Sequence, residues 1–161
     1  MLTKKYLHEQ LLRLGLFFIL VLSITGCTFQ MVADYDSVAF EEILRVGKKV
    51  DKFYGDLLEL KPSERAYQKF SNQYVEIETD IRSIVTRNKL RVLNQESVEI
   101  AETTLKLWLK YKDNHQAKDA YADGMAKLDR NRFIRLFAAA ADAERAKNLD
   151  TDDKDSTKDS K

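Results

Sequence analysis

Few side chains in this 161-residue chain are of types that do chemistry, and they are widely spaced. Cys27 is the only cysteine, so an internal disulfide is impossible. His115 is the only histidine after His8. One imidazole with no second histidine and no available thiol makes a poor transition-metal site, so His115 is expected to be solvated or to cap a helix. Glu76, Glu78 and Asp80 could form a hard-cation or acid–base cluster. Glu76 and Asp80 share a helix face at i, i+4, but it lies opposite the apolar seam, and a solvated surface accounts for it. Arg130, Arg132 and Arg135 could meet anionic lipid heads or glycan phosphates, yet they alternate with apolar residues and follow Asp129, as on an ordinary helix surface. The chain has no Gly-rich phosphate loop, no nucleophile elbow and no histidine-based triad. The sequence therefore predicts no catalytic, cofactor-binding or metal-binding residues, and a protein that is not an enzyme.

Cys27 is informative through what precedes it. Lys4, Lys5 and Arg13 form a basic lead, Leu14 to Ile24 is almost wholly apolar, and Thr25 and Gly26 are small. This is the layout of a secretory signal, and its apolar run falls well short of the roughly 20 residues that cross a bilayer as a helix. Ile24-Thr25-Gly26-Cys27 resembles the lipobox of bacterial lipoproteins. The resemblance covers the first 27 residues. It implies a diacylglycerol on the Cys27 thiol, cleavage just before it and acylation, palmitate included, of the new amino group. Several acyl chains meet the two-signal requirement for stable anchoring. Thr28, rather than Asp, follows the cysteine, which in enteric-type lipoproteins implies sorting to the periplasmic face of the outer membrane, with the inner membrane as the alternative. Residues 1–26 are thus read as a cleaved signal and 27–35 as a lipidated tether.

The remaining chain must be one domain. Removal of Lys4, Lys5, Arg13 and Glu9 takes the 27 basic and 26 acidic residues to 24 and 25, a balance that offers nothing to nucleic acid. With five glycines and one proline, turn chemistry is too sparse for many strands, and the composition points to an all-α domain. A first helix is predicted from Asp36 or Ser37, either able to cap it, to Leu60. Its apolar face is Ala39, Phe40, Ile43, Val46, Val50, Phe53, Tyr54, Leu57 and Leu60, with Gly47 on it either to let a neighbour approach or as a tolerated cost of about 1 kcal/mol. Lys61-Pro62-Ser63 ends the pattern. A second helix from Ser63 to Leu90 carries Tyr67, Phe70, Tyr74, Ile77, Ile81 and Ile84 in uninterrupted 3-4 alternation, with Asn88 next on the seam. The aromatic residues at these positions and at Trp108 are spaced as core.

A third helix is predicted over Gln95–Lys112 with Asn94 as N-cap and two apolar stripes. Val98, Ala101, Leu105 and Trp108 form one; Ile100, Leu107 and Tyr111 form the other. After a pause at Asp113-Asn114, Ala117, Tyr121, Met125 and Leu128 align. The apolar residues Phe133, Ile134, Leu136, Phe137 and Ala140 then fall out of phase. This implies a break near Asp129 to Asn131, or a long helix meeting different neighbours along its length. The final segment is expected to cover the Ile100/Leu107/Tyr111 stripe; if it does not, those three residues are a candidate partner surface. Residues 149–161 form a polar tail expected to be disordered.

The predicted fold is an up-and-down bundle of four to five helices over residues 36–148, with coiled-coil-like seams. The expected function is that of a non-catalytic, membrane-anchored envelope lipoprotein acting as a structural or protein-interaction module, with a protein partner or self-association. Two other readings stand beside it. One is an exclusion or protection lipoprotein of the plasmid or phage kind. The other rests on Lys161: an acylated cysteine, helices and a final lysine resemble murein lipoproteins, whose terminal lysine is joined to peptidoglycan, although size, fold and the preceding residues differ. If Cys27 is the anchor, Cys27→Ser should abolish incorporation of radiolabelled palmitate, and a labelled variant would refute the lipobox assignment.

Overall fold

A computed structural model describes residues 32–156, with side chains to residue 148. The lipobox with Cys27, and Lys161, lie outside the described residues. Four helices follow in order: α1, Ser37–Glu59; α2, Tyr67–Lys89; α3, Gln95–Lys118; and α4, Asp123–Ser156. There is no strand among the described residues.

α1 starts where Asp36 Oδ1 accepts the backbone N–H groups of Val38 and Ala39, at 2.9 and 3.1 Å. Ala39, Ile43, Val46, Val50, Phe53, Tyr54 and Leu57 are all buried, as their spacing predicts. The second helix starts later than the sequence suggests. Pro62–Glu64 form a 3-10 turn, and α2 begins only at Tyr67. The cause is Arg65, a residue the periodicity places on an ordinary helix but which is 1% exposed. Its guanidinium turns inward and donates to the carbonyls of Leu60 and Tyr121, which a helix end would otherwise leave unpaired. Ala66 cannot cap α2 with its side chain; Asp119, 52 residues on, accepts the Tyr67 N–H at 2.8 Å instead.

α3 runs through Asp113-Asn114 to Lys118, six residues past its expected end. His115 explains this: Ser97, Ala101, Thr104, Trp108, Tyr111 and His115 form one unbroken 3-4 stripe, all buried, and the histidine holds the last turn in the core. The helix stops at Asp119, whose backbone is left-handed (φ 47°) and whose N–H returns to the His115 carbonyl at 2.8 Å.

Of the two alternatives near Asp129 to Asn131, a break or a long helix, the structure has the second: α4 is a single helix of 34 residues. Its buried stripe is Ala126, Asp129, Phe133, Phe137, Ala141, Glu144 and Lys147. Three of those positions are charged, which is why the apolar residues alone seem to slip phase. Of the aligned set Ala117, Tyr121, Met125 and Leu128, only Tyr121 is buried. The helix continues to Ser156, past the start of the polar tail at Leu149. Propagation from a packed helix adds residues without a new nucleation step, so a polar sequence can follow it.

Each helix lies antiparallel to the next, and α4 closes against α1. Asp36 meets Glu144, Gly47 lies against Phe137, and Asp51 meets Arg130, so residue numbers rise along α1 as they fall along α4. This is an up-and-down four-helix bundle. At its centre the Phe53 ring lies 4.7 Å from Tyr74, 5.2 Å from Trp108 and 5.7 Å from Phe70, mostly edge to face.

Gly47 sits where α1 and α4 approach most closely; a Cβ there would lie 3.1 Å from Phe137 Cβ and Cγ. At Gly55 a Cβ would meet nothing within 4 Å. The two glycines should therefore respond oppositely to alanine in thermal melts. Gly55→Ala should stabilise by up to about 1 kcal/mol through helix propensity. Gly47→Ala should be net destabilising, since overpacking typically costs about 1–3 kcal/mol.

Candidate functional site

The turns α1–α2 and α3–α4 lie together at one end of the bundle, and His115 lies beneath them. It is buried, at 1% exposure, rather than solvated or capping. Its Nε2 is 2.7 Å from the Arg65 carbonyl, which can only accept, so Nε2 carries the proton. Nδ1 then accepts from the Tyr74 hydroxyl at 3.0 Å. Burial holds the imidazole pKa below its ordinary 6.5, against the opposing pull of the Arg65 carbonyl and Asp119. Nearby, the Tyr121 hydroxyl donates to Asp129 Oδ2 at 2.7 Å, and Arg132 donates to Asp129 Oδ1 and to the Tyr111 hydroxyl. Burial raises the Tyr74 and Tyr121 phenols far above their usual range, so both stay protonated donors.

A cavity of about 210 Å³ opens beside this cluster, lined by Tyr111, His115, Lys118, Tyr121, Met125 and Asp129. Two of its ionisable walls are already engaged with other protein groups, since both His115 nitrogens and both Asp129 oxygens have partners, while Lys118 is exposed. Among the described residues no cluster of three His, Cys, Asp or Glu side chains could hold a metal ion. What the cavity offers a ligand is aromatic and thioether surface.

The other sequence candidates are distributed differently. Glu76, Glu78 and Asp80 do not simply face solvent: they strap helices together. Lys49 of α1 reaches Glu76 and Asp80 at 2.7 and 2.8 Å, and Lys112 of α3 reaches Glu78 at 2.9 Å. Arg130 pairs with Asp51 across α1–α4, while Arg135 is exposed, so the three arginines form no common anion site. The Ile100/Leu107/Tyr111 stripe is not an exposed face. Tyr111 is buried with its ring edge-on to Phe133 at 5.8 Å, Leu107 packs on the core, and Ile100 is half-buried. Within the final segment, Phe133 covers Tyr111 and also meets Trp108 of the other stripe, at 5.6 Å.

The end of the bundle near residue 32 holds a polar network that the periodicity did not reveal. Glu144 is 1% exposed and accepts from Arg91, Lys147 and the Asp36 N–H, at 2.9, 2.6 and 2.8 Å. Lys147 also donates to Asn94 and, at 2.9 Å, to Ser97. Asn94 therefore does not cap α3 with its side chain; its amide nitrogen donates to Asn88, whose own amide reaches the Ser97 carbonyl. Burial would raise the Glu144 pKa, but the Arg91, Lys147 and Asp36 bonds outweigh it and keep the carboxyl below its ordinary value. The signal for this network was a 3-4 continuation of the α4 stripe through Glu144 and Lys147, which a search for apolar residues passes over.

Among the described residues no helix is long and apolar enough to cross a membrane. Set against known protein families, curated proteins and solved structures, the chain finds no match in any of the three.

The His115 geometry generates a pH dependence. A base whose pKa is depressed in the folded state contributes fully above its unfolded value, and that contribution is lost as pH falls below it. Lowering pH from about 7.5 to 5.5 should therefore cost up to about 1.4 kcal/mol per pH unit until the folded pKa is reached. The Glu144 and Asp80 carboxyls, held below their ordinary values by their basic partners, titrate lower still. His115→Phe should be less stable overall but flat across that window in thermal melts.

Proposed function

We propose that this protein is a non-catalytic, lipid-anchored module of the bacterial envelope. Acyl chains on Cys27 hold it in the membrane, and the end of the bundle away from the tether receives a protein partner. The observation that carries this reading is the contrast between the two ends. Next to residue 32, the polar side chains of Glu144, Lys147, Asn94 and Asn88 are buried and mutually bonded. At the opposite end, one α1 length away (23 residues, about 35 Å), lies the cavity with Met125 in its wall. Met125 is 49% exposed and Leu128, one turn on, 42% exposed. An adaptable thioether beside an aromatic-lined recess suits capture of an apolar side chain from another protein.

The non-catalytic half of the reading is supported by how the buried ionisable groups are used. His115, Asp129, Glu144 and Lys147 each bond to other protein groups, in arrangements that join helices. A general base or nucleophile needs a lone pair aimed at substrate, and these groups direct theirs inward. Localisation on the periplasmic face of the outer membrane follows from the lipobox and Thr28.

A benzophenone side chain introduced at Met125 in whole cells should give one discrete cross-linked adduct on irradiation, while the same group at the exposed Val75 of α2 should not. Leu128→Lys should remove the adduct and leave the thermal melt unchanged. Equal labelling from positions 125 and 75 would overturn the partner site. Recovery of the wild-type protein in the soluble fraction would overturn the anchor.

A further inference from the structure

The turn between α2 and α3 runs Leu90-Arg91-Val92-Leu93, a sequence unsuited to water. Tight turns favour Gly, Asn, Asp and Ser. Here Leu90 is 81% exposed, Val92 83% and Leu93 53%, and these are three of the large apolar residues most open to solvent among those described. Single exposed apolar residues are ordinary, but three within four residues form a patch. Leu93 is also disfavoured by its backbone. Its φ is 58°, in the left-handed region that glycine or asparagine enters readily and leucine does not.

The same turn receives the chain as it arrives from Cys27. The Ala33 N–H donates to the Leu93 carbonyl at 3.0 Å, and Arg91 bonds both the Asp34 carbonyl and Glu144. From Cys27 to Val32 is five residues, which even fully extended span no more than about 18 Å. An acylated Cys27 would thus keep this turn, and no other end of the bundle, within reach of the lipid surface.

We propose that the Leu90/Val92/Leu93 turn docks into the headgroup–acyl boundary of the leaflet that holds the Cys27 acyl chains. This inference rests on acylation of Cys27. Docking gives the bundle a fixed orientation in place of a free swing about its tether. α4 is 34 residues long and outruns the turn on this side of the bundle, so the docked domain is tilted with its α2–α3 edge toward the lipid. The three apolar side chains then lie where water is sparse, and the opposite end of the bundle points away from the membrane.

The test uses the full, processed chain purified from membranes and reconstituted into vesicles of phosphatidylethanolamine and phosphatidylglycerol. Acylation blocks Cys27, so Val92→Cys supplies one free thiol for an environment-sensitive fluorophore, and Val75→Cys supplies a water-facing control. Docking predicts a blue-shifted probe at position 92 that is quenched by spin-labelled lipid, with neither effect at position 75. A probe at 92 that matches the control would overturn the proposal. A blue shift without lipid quenching would overturn it as well, and would indicate contact with a second copy of the chain. Intact mass separates failure of the underlying reading: an unacylated chain takes up a second fluorophore on Cys27 and lacks the lipid mass, and then both the anchor and the docking fall.

Discussion

A polar group that enters the seam of a helical bundle must find its partner there, because leaving it unpaired away from water costs more than the bond returns. Much of this structure follows from that constraint. α1 and most of α2 are apolar enough to bury a full face. α3 and α4 are not, and their buried stripes include Ser97, Thr104, His115, Asp129, Glu144 and Lys147. Each of these six is bonded within the fold. Apart from Thr104, which bonds the Ile100 carbonyl one turn back in its own helix, these residues bond between helices or between helix and turn, and so set which residues face one another, as an apolar seam alone would not.

The constraint also explains the connections. Arg65 gives up a place on α2 to bond the carbonyls of Leu60 and Tyr121, joining the α1–α2 and α3–α4 turns at one end. Asp119 caps α2 from the α3–α4 turn. At the other end, Glu144 accepts from Arg91 in the α2–α3 turn and from the N–H of Asp36 at the start of α1. Buried pairs of this kind are weak evidence for added stability, since apolar residues of similar volume often do as well, but losing one partner is costly. Their clearest effect here is to hold both ends of the bundle in a single arrangement. A domain locked in this way suits a role in which surfaces must be presented in a constant relation to a membrane.

The polar groups that a search for chemistry would select first, a lone histidine and buried carboxylates, are therefore the ones most engaged in architecture. The features left over are apolar and sit at opposite ends: a cavity with Met125 in its wall, and a turn with Leu90, Val92 and Leu93. Neither depends on the ionised state of a catalytic group. Both are surfaces where another molecule would replace water.

By itself, the sequence determined the all-α class and the faces of α1 and α2, and narrowed the α1 cap to Asp36 or Ser37. Those features depend on local spacing: 3-4 alternation of apolar residues defines a face, and an aspartate before it has free N–H groups within reach. The resemblance of Ile24-Thr25-Gly26-Cys27 to a lipobox likewise rests on covalent order alone. Only the tertiary structure decided that His115 is buried, that Arg65 interrupts the second helix, that Asn94 bonds Asn88 rather than its own helix, and that α4 runs unbroken through Asp129. In three of these cases the outcome turns on a partner distant in the chain, Tyr74 for His115, Tyr121 for Arg65 and Lys147 for Asn94; for Asp129 it turns on Tyr121, eight residues back in the turn before α4. A charged residue on a helix looks the same in sequence whether it faces water or a buried counterpart, because the pairing that makes burial tolerable exists only once the helices have packed.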